Sequence, residues 1–180
     1  MAPRATVYKA QLQIADMDRH YYADHPLTIA CHPSETEERL MVRVLAFALN
    51  ASEYLTFGKG LSDDDEPDLW TKDLTGIIEL WIELGQPEEK AILRACGRSA
   101  KVIVYTHVAN AAAWWAGVEG KLSRAKNLAV YAIAPESKAA LGALAARSMD
   151  LQCTVQDGDV WIRTSTESVQ VALTTLRAPN

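Results

Sequence analysis

The segment Ile77-Ile78-Glu79-Leu80-Trp81-Ile82-Glu83-Leu84-Gly85 puts two carboxylates inside a run that otherwise reads as a β-strand. Side chains alternate across a strand. Glu79, Trp81 and Glu83 are therefore expected on one face, and Ile78, Leu80, Ile82 and Leu84 on the other. Strand interiors are poor in carboxylates because taking an unpaired charge out of water is costly. Just upstream runs Asp63-Asp64-Asp65-Glu66-Pro67-Asp68. An acidic loop followed by an acidic strand face points to a place where negative charge is wanted, most commonly for a divalent cation. The alternatives are a solvated loop and the wet face of an antiparallel strand. Trp81, lying between the two glutamates, favours a half-buried face.

Around this segment the pattern alternates between strand and helix. Thr6 to Ile14 has period two, with Tyr8, Ala10, Leu12 and Ile14 on one face, and His20 to His32 returns as a second strand. Pro33 precedes Ser34-Glu35-Thr36-Glu37, which reads as a capping box with Ser34 as N-cap, and the apolar helix that follows reaches about Tyr54. Helices are also expected over Glu88–Ala100, Ala109–Ser123 and Pro135–Arg147, the last opening on a proline tolerated at a helix start. Buried strands are expected over Lys101–Thr106 and Asn127–Ala134. The chain closes as a meander. Met149, Leu151, Cys153 and Val155 alternate with polar residues, Asp157-Gly158 is a hairpin turn, and Val169, Val171 and Leu173 form a last strand. At 180 residues and 49% hydrophobic, residues 1–180 are read as one mixed α/β domain.

No apolar run is long enough to span a membrane, and the N-terminus lacks the apolar stretch of a signal peptide. Cys31, Cys96 and Cys153 are isolated, as small buried hydrophobes are in a reducing compartment, which gives a cytoplasmic reading. The net charge of −5 argues against tight sequence-independent binding of duplex DNA. His20, His25, His32 and His107 have no ligand-like spacing, and no nucleotide-binding glycine pattern occurs.

The order of elements resembles the PD-(D/E)XK, or restriction-endonuclease-like, core: a long first helix, antiparallel strands bearing acids, a helix, then a parallel strand. Pro67-Asp68 and Glu83-Leu84-Gly85 resemble the two halves of that motif. The chain is similar more closely still to YaeQ-family proteins, through His32-Pro33-Ser34-Glu35-Thr36, Asp64-Asp65-Glu66-Pro67, Leu80-Trp81-Ile82-Glu83-Leu84-Gly85 and Gln156-Asp157-Gly158. That resemblance implies a small bacterial protein with a mixed sheet flanked by helices, an endonuclease-like core and a C-terminal antiparallel meander.

It also implies a site. Asp68 and Glu83 fall where the motif places its catalytic, metal-binding acids, and such a pair holds Mg²⁺. Glu38 shares a helical stripe with Val42, Leu45 and Leu49, which makes it the candidate third metal ligand, with a salt bridge as its alternative. Glu35 is expected simply to complement the helix dipole. The motif lysine would fall at Gly85, which has no side chain. Lys90, Arg94 and Lys101 are the cations within sequence reach, with Lys101 foremost. Of Trp114 and Trp115, adjacent on one helix, only one can face the core. Two functions remain open: a Mg²⁺-dependent nuclease-like phosphodiesterase, or a non-catalytic module that binds nucleic acid or a protein partner.

Overall fold

Two kinds of strand are written in this sequence, and they end up in two different sheets. A computed structural model describes residues 4–59 and 65–180. The strands are β1 (Thr6–Asp16), β2 (Tyr21–Cys31), β3 (Thr56–Phe57), β4 (Leu69–Lys72), β5 (Ile78–Leu84), β6 (Ser99–Thr106), β7 (Leu128–Ile133), β8 (Ser148–Gln156), β9 (Asp159–Arg163), β10 (Ser168–Val171) and β11 (Leu173–Arg177). The helices are α1 (Glu37–Asn50), α2 (Glu89–Arg98), α3 (Ala111–Val118) and α4 (Pro135–Ala143). The result is a mixed α/β fold with two mixed sheets, ordered β10-β9-β8-β1-β2 and β11-β7-β6-β5-β4-β3, rather than the single sheet expected. The chain divides into two compact units, Met1–Leu49 with Glu136–Ala172 and Asn50–Pro135 with Leu173–Asn180. Asp63 and Asp64 of the acidic run lie outside the described residues.

The first unit collects the strands with period two. β1 buries Tyr8, Ala10, Leu12 and Ile14 while Lys9, Gln11 and Gln13 stay exposed, and β8 alternates in the same way. β1 runs parallel to β8, and the other pairs of this sheet are antiparallel. Asp157-Gly158 makes the expected hairpin turn with positive φ at both residues. The Asp18 carboxylate accepts both of its N–H groups, at 2.7 and 2.9 Å, and so ties the two hairpins together.

α1 buries Leu40 through Ala48 without interruption. Its N-cap is Thr36, not Ser34: the Thr36 hydroxyl accepts the Arg39 N–H at 3.1 Å, and Ser34 instead pairs with the His32 ring. Glu35 does more than complement the helix dipole. Its carboxylate, 2% exposed, accepts Arg39 at 2.7 Å and Arg43 at 2.5 Å, and Arg43 also donates to the Ala30 carbonyl. One helical turn separates Arg39 from Arg43, so both reach back to the residue just ahead of the helix.

The second unit takes the continuous apolar strands. β5, β6 and β7 are parallel, and α2 and α3 make the connections. On one face Trp81, Val102, Val104, Leu128 and Val130 pack with Ile92 and Ala95 of α2 and Trp115 of α3. The last alternating run, expected as one strand, is split at Ala172. β10 closes the first sheet and β11 joins the second, and Ala172 N–H donates to Ser137 Oγ at the changeover. Arg177 then donates to the carbonyls of Leu122 and Ala125.

No helix among the described residues is long and apolar enough to cross a membrane. Burial raises all three thiols above their ordinary range, Cys153 to about 12, so they behave as small hydrophobes.

Replacing Glu35 by Ala would strand buried Arg43, so Glu35→Ala is expected to lose about 3–5 kcal/mol in urea unfolding. Glu38→Ala, on a half-exposed pair, should lose less than about 1 kcal/mol. His25 is held below its ordinary pKa by burial, which the neighbouring Asp24 only partly offsets, and its ring stands edge-on to Phe47. Unfolded His25 therefore binds a proton at higher pH than the folded residue. Its contribution to stability is complete above about pH 6.5 and is lost as pH falls below that value. Denaturation midpoints should drop from pH 7 to pH 5, and the drop should be smaller in His25→Gln.

Candidate functional site

The register of two short strands assembles the acids. β4 and β5 are antiparallel, with Leu69 opposite Ile82 and Trp70 opposite Trp81. Asp68 stands at a bend just before Leu69, and Glu83 directly follows Ile82, the partner of Leu69, so the two acids lie at the same end of the ladder. Asp68 is 5% exposed, and its Oδ2 accepts the Leu84 N–H at 2.9 Å. Glu83 is half-buried, and its Oε1 accepts the Trp81 indole N–H at 2.9 Å. On the other side of β5, Glu83 neighbours Val104 of β6, so it lies on the face covered by α2 and α3. Trp81 and Glu83 share a face as the alternation predicts. Ile78 does not follow it. A register shift at Thr71/Lys72 brings Ile78 into the same buried cluster as Trp81, while Glu79 is exposed.

Gly85 ends β5 with φ +103°, its N–H donating to the Tyr105 carbonyl. A lysine there would be strained whatever space it found, which gives a backbone reason for the departure from the motif. A Cβ on Gly85 would stand 3.9 Å from Nε2 of His107, a buried residue just after β6. His107 was passed over in the sequence because it lacks metal-ligand spacing. The signal that could have found it is its place at the carboxyl end of an apolar parallel strand, where sites gather.

The cations fall differently from the sequence expectation. Lys101 pairs with Leu80, three residues before the partner of Glu83, which puts it about 10 Å along β6 and on the other face. Lys90 is exposed at the start of α2, and Arg94 is exposed on the same helix. Lys90 lines a cavity of about 420 Å³ with Gln86, Glu89, Trp114, Val118 and Lys121. Trp115 is the core member of the tryptophan pair and Trp114 is half-buried at that cavity. The side chains that do stand over the acidic strands are Arg98, with Cζ 5.3 Å from the Trp81 ring, and Lys72, with Nζ 3.7 Å from the Trp70 ring.

Glu38 belongs to the first unit, where it pairs with Lys138 at 3.9 Å and is half-exposed. Its Cγ occupies the space that a Cβ on Gly142 of α4 would need, 2.5 Å away. Among the described residues no group of three or more His, Cys, Asp or Glu side chains is gathered as for a metal ion. Asp68 and Glu83 nonetheless fit a hard cation in kind and number. Mg²⁺ commonly takes one or two carboxylates and keeps several waters. Each carboxylate here is also oriented by an N–H donor, as outer-shell partners orient metal ligands.

Gly85→Ala forces a side chain into a left-handed backbone and should lose about 1–2 kcal/mol or more in thermal unfolding.

Comparison with known proteins agrees along the whole chain. The YaeQ protein family model matches residues 1–173. The uncharacterized protein YaeQ of Escherichia coli (strain K12) is 42% identical over 181 residues, covering all of both chains, and that of Salmonella typhi is 40% identical. The crystal structure of YaeQ protein from Xanthomonas axonopodis pv. citri superposes with a TM-score of 0.95 at 48% identity, covering 97% of this chain and 99% of that one. That from Pseudomonas syringae gives 0.92 at 33% identity, with 97% of each chain covered. The chain belongs to the YaeQ family.

Proposed function

We propose that Asp68 and Glu83 form a Mg²⁺-binding, nuclease-like phosphodiesterase centre on an endonuclease-like core. One observation carries this reading: a carboxylate only 5% exposed and a second, half-buried one flank the paired residues Leu69 and Ile82, and each accepts an N–H group of a β5 residue. Burying acids in this way costs stability unless something is gained from their charge. The chemistry that Mg²⁺ supplies when bound is polarisation of the scissile phosphate and a lower pKa for the attacking water.

The chain's own residues divide the remaining work. Asp68 and Glu83 hold the cation, and the Leu84 and Trp81 N–H groups keep both carboxylates aimed. His107, beside Gly85, stands where the motif's lysine would project, and an imidazole there can take a proton from water. A second reading is favoured by Gly85 itself: with no lysine on β5, the core serves as a non-catalytic module that binds nucleic acid or a protein through the acidic face.

Mn²⁺ titration by calorimetry separates metal binding from chemistry, and cleavage of single- and double-stranded DNA and RNA with Mg²⁺ or Mn²⁺ tests the chemistry. Glu83→Ala is expected to weaken Mn²⁺ binding and to lower cleavage by about a hundredfold or more, more than an outer-shell change costs, while the protein stays folded. Wild-type protein that binds Mn²⁺ but leaves every substrate intact hands the site to the binding-module reading. Absence of Mn²⁺ binding removes the metal centre altogether.

A further inference from the structure

The same face of the second unit carries a feature that the acids do not explain. Asp68 stands just before β4, Trp70 and Lys72 alternate along it, and Trp81 and Glu83 stand on β5 beside them. Trp70 and Trp81 are directly opposed and meet edge to face, with centroids 6.1 Å apart. Each indole is capped by a cation, Trp70 by Lys72 at 3.7 Å and Trp81 by Arg98 at 5.3 Å. The acids, the indole pair and the cations therefore follow one another along one strip of the sheet. From Asp68 to Lys72 is four residues, roughly 13 Å at strand rise.

The cations are exposed, and neither forms an ion pair with a carboxylate among the described residues. Lys72 Nζ and Arg98 Cζ lie over the indoles instead, which holds the two charges on the same side of the sheet. Arg98 has a further reason to point there. It is in the last turn of α2, the helix that packs on this face through Ile92 and Ala95.

From this geometry we infer that Lys72, Trp70 and Arg98, seated on the buried Trp81, form a binding strip for the backbone of a single-stranded nucleic acid, flanking the acid pair. The inference rests on the nuclease-like reading for its substrate class. Two exposed cations beside the half-buried Trp70 suit the phosphates of a single strand, a contact made without sequence preference. A duplex would need a broad basic surface to neutralise two backbones, which the net charge of −5 argues against. The roughly 13 Å between Asp68 and Lys72 assigns Lys72 to a phosphate flanking the scissile one rather than to the reacting group. The strip thus sets substrate position and strandedness, and Lys72 and Arg98 are positioning residues rather than catalytic ones.

Fluorescence anisotropy with a labelled 20-nucleotide thymidine strand, in EDTA, tests this without any demand on the metal site. Wild-type protein is expected to bind, with a salt slope that falls by about 1.4 in Lys72→Gln/Arg98→Gln, since each contact with a single strand contributes about 0.7. Affinity at low salt should drop about tenfold. Lys72→Arg/Arg98→Lys keeps both charges and should bind within about twofold of wild type. Thermal unfolding of each variant confirms that the fold is intact. A double Gln variant that binds with the wild-type slope overturns the proposal, as does tighter binding of duplex than of single strand or no binding of the wild type at all. Mn²⁺ calorimetry on the same samples reports separately on Asp68 and Glu83. The strip can thus fail while the metal centre stands, or stand while the metal centre fails.

Discussion

Pairing of β4 with β5 in a single register is the constraint from which the rest of the candidate site follows. Trp70 opposite Trp81 fixes which side of the sheet receives Asp68, Glu83 and Lys72. Because side chains alternate with period two, a slip of one residue would send all of them to the other face. The indole pair resists that slip, since it would lose both the ring contact and its place beside Val102 on β6. Packing and chemistry are thus carried by the same residues. Trp81 fills the core beneath α2, orients Glu83 through its N–H, and supplies the surface on which Arg98 lies.

Glutamates of the α1 region show how poorly sequence position alone ranks acids. Glu35 and Glu38 are three residues apart, and each sits near a helix start where an acid is favoured by the dipole. Glu35 lies in a buried site with two guanidinium groups, while Glu38 is half-exposed beside one lysine. The difference comes from Arg39 and Arg43, whose spacing of four lets both converge on one carboxylate. A third acid, Asp68, is buried just before β4, where its carboxylate accepts the N–H of Leu84. The three acids meet their surroundings in three different ways.

Much of the fold was legible because the two strand types differ in period. Alternation in Thr6–Ile14 and Met149–Val155 and continuous apolarity in Lys101–Thr106 and Asn127–Ala134 located the strands, and helix starts at Pro135 and near Glu88 were clear. What was not legible is pairing between distant segments. Nothing in the alternation of Val169, Val171 and Leu173 marks Ala172 as the point where the chain changes sheets, since the hydrogen bond that marks it comes from Ser137. Thr36 took the cap from Ser34 for a similar reason, because the His32 ring engages Ser34. Asp68 and Glu83 could be named from a motif. His107, Lys72 and Arg98 could not, because their relation to that motif exists only across β6, β4 and α2.

That change of sheet at Ala172 bears on how the protein can be made. β1 leaves the ribosome early, yet its parallel partner β8 begins at Ser148, and the edge of β7 is covered only by β11, starting at Leu173. In sequence order both sheets receive their last strand from Ser168–Arg177. Until β11 pairs, the apolar run Leu128–Ile133 has one side without that neighbour, a template to which another chain could add a strand. Contacts of such long sequence separation also slow folding, because the chain must close large loops before pairing rewards it. The segment Ser168–Arg177 thus acts as a shared clasp: β10 finishes an edge of one sheet and β11 an edge of the other, with Ala172 between them.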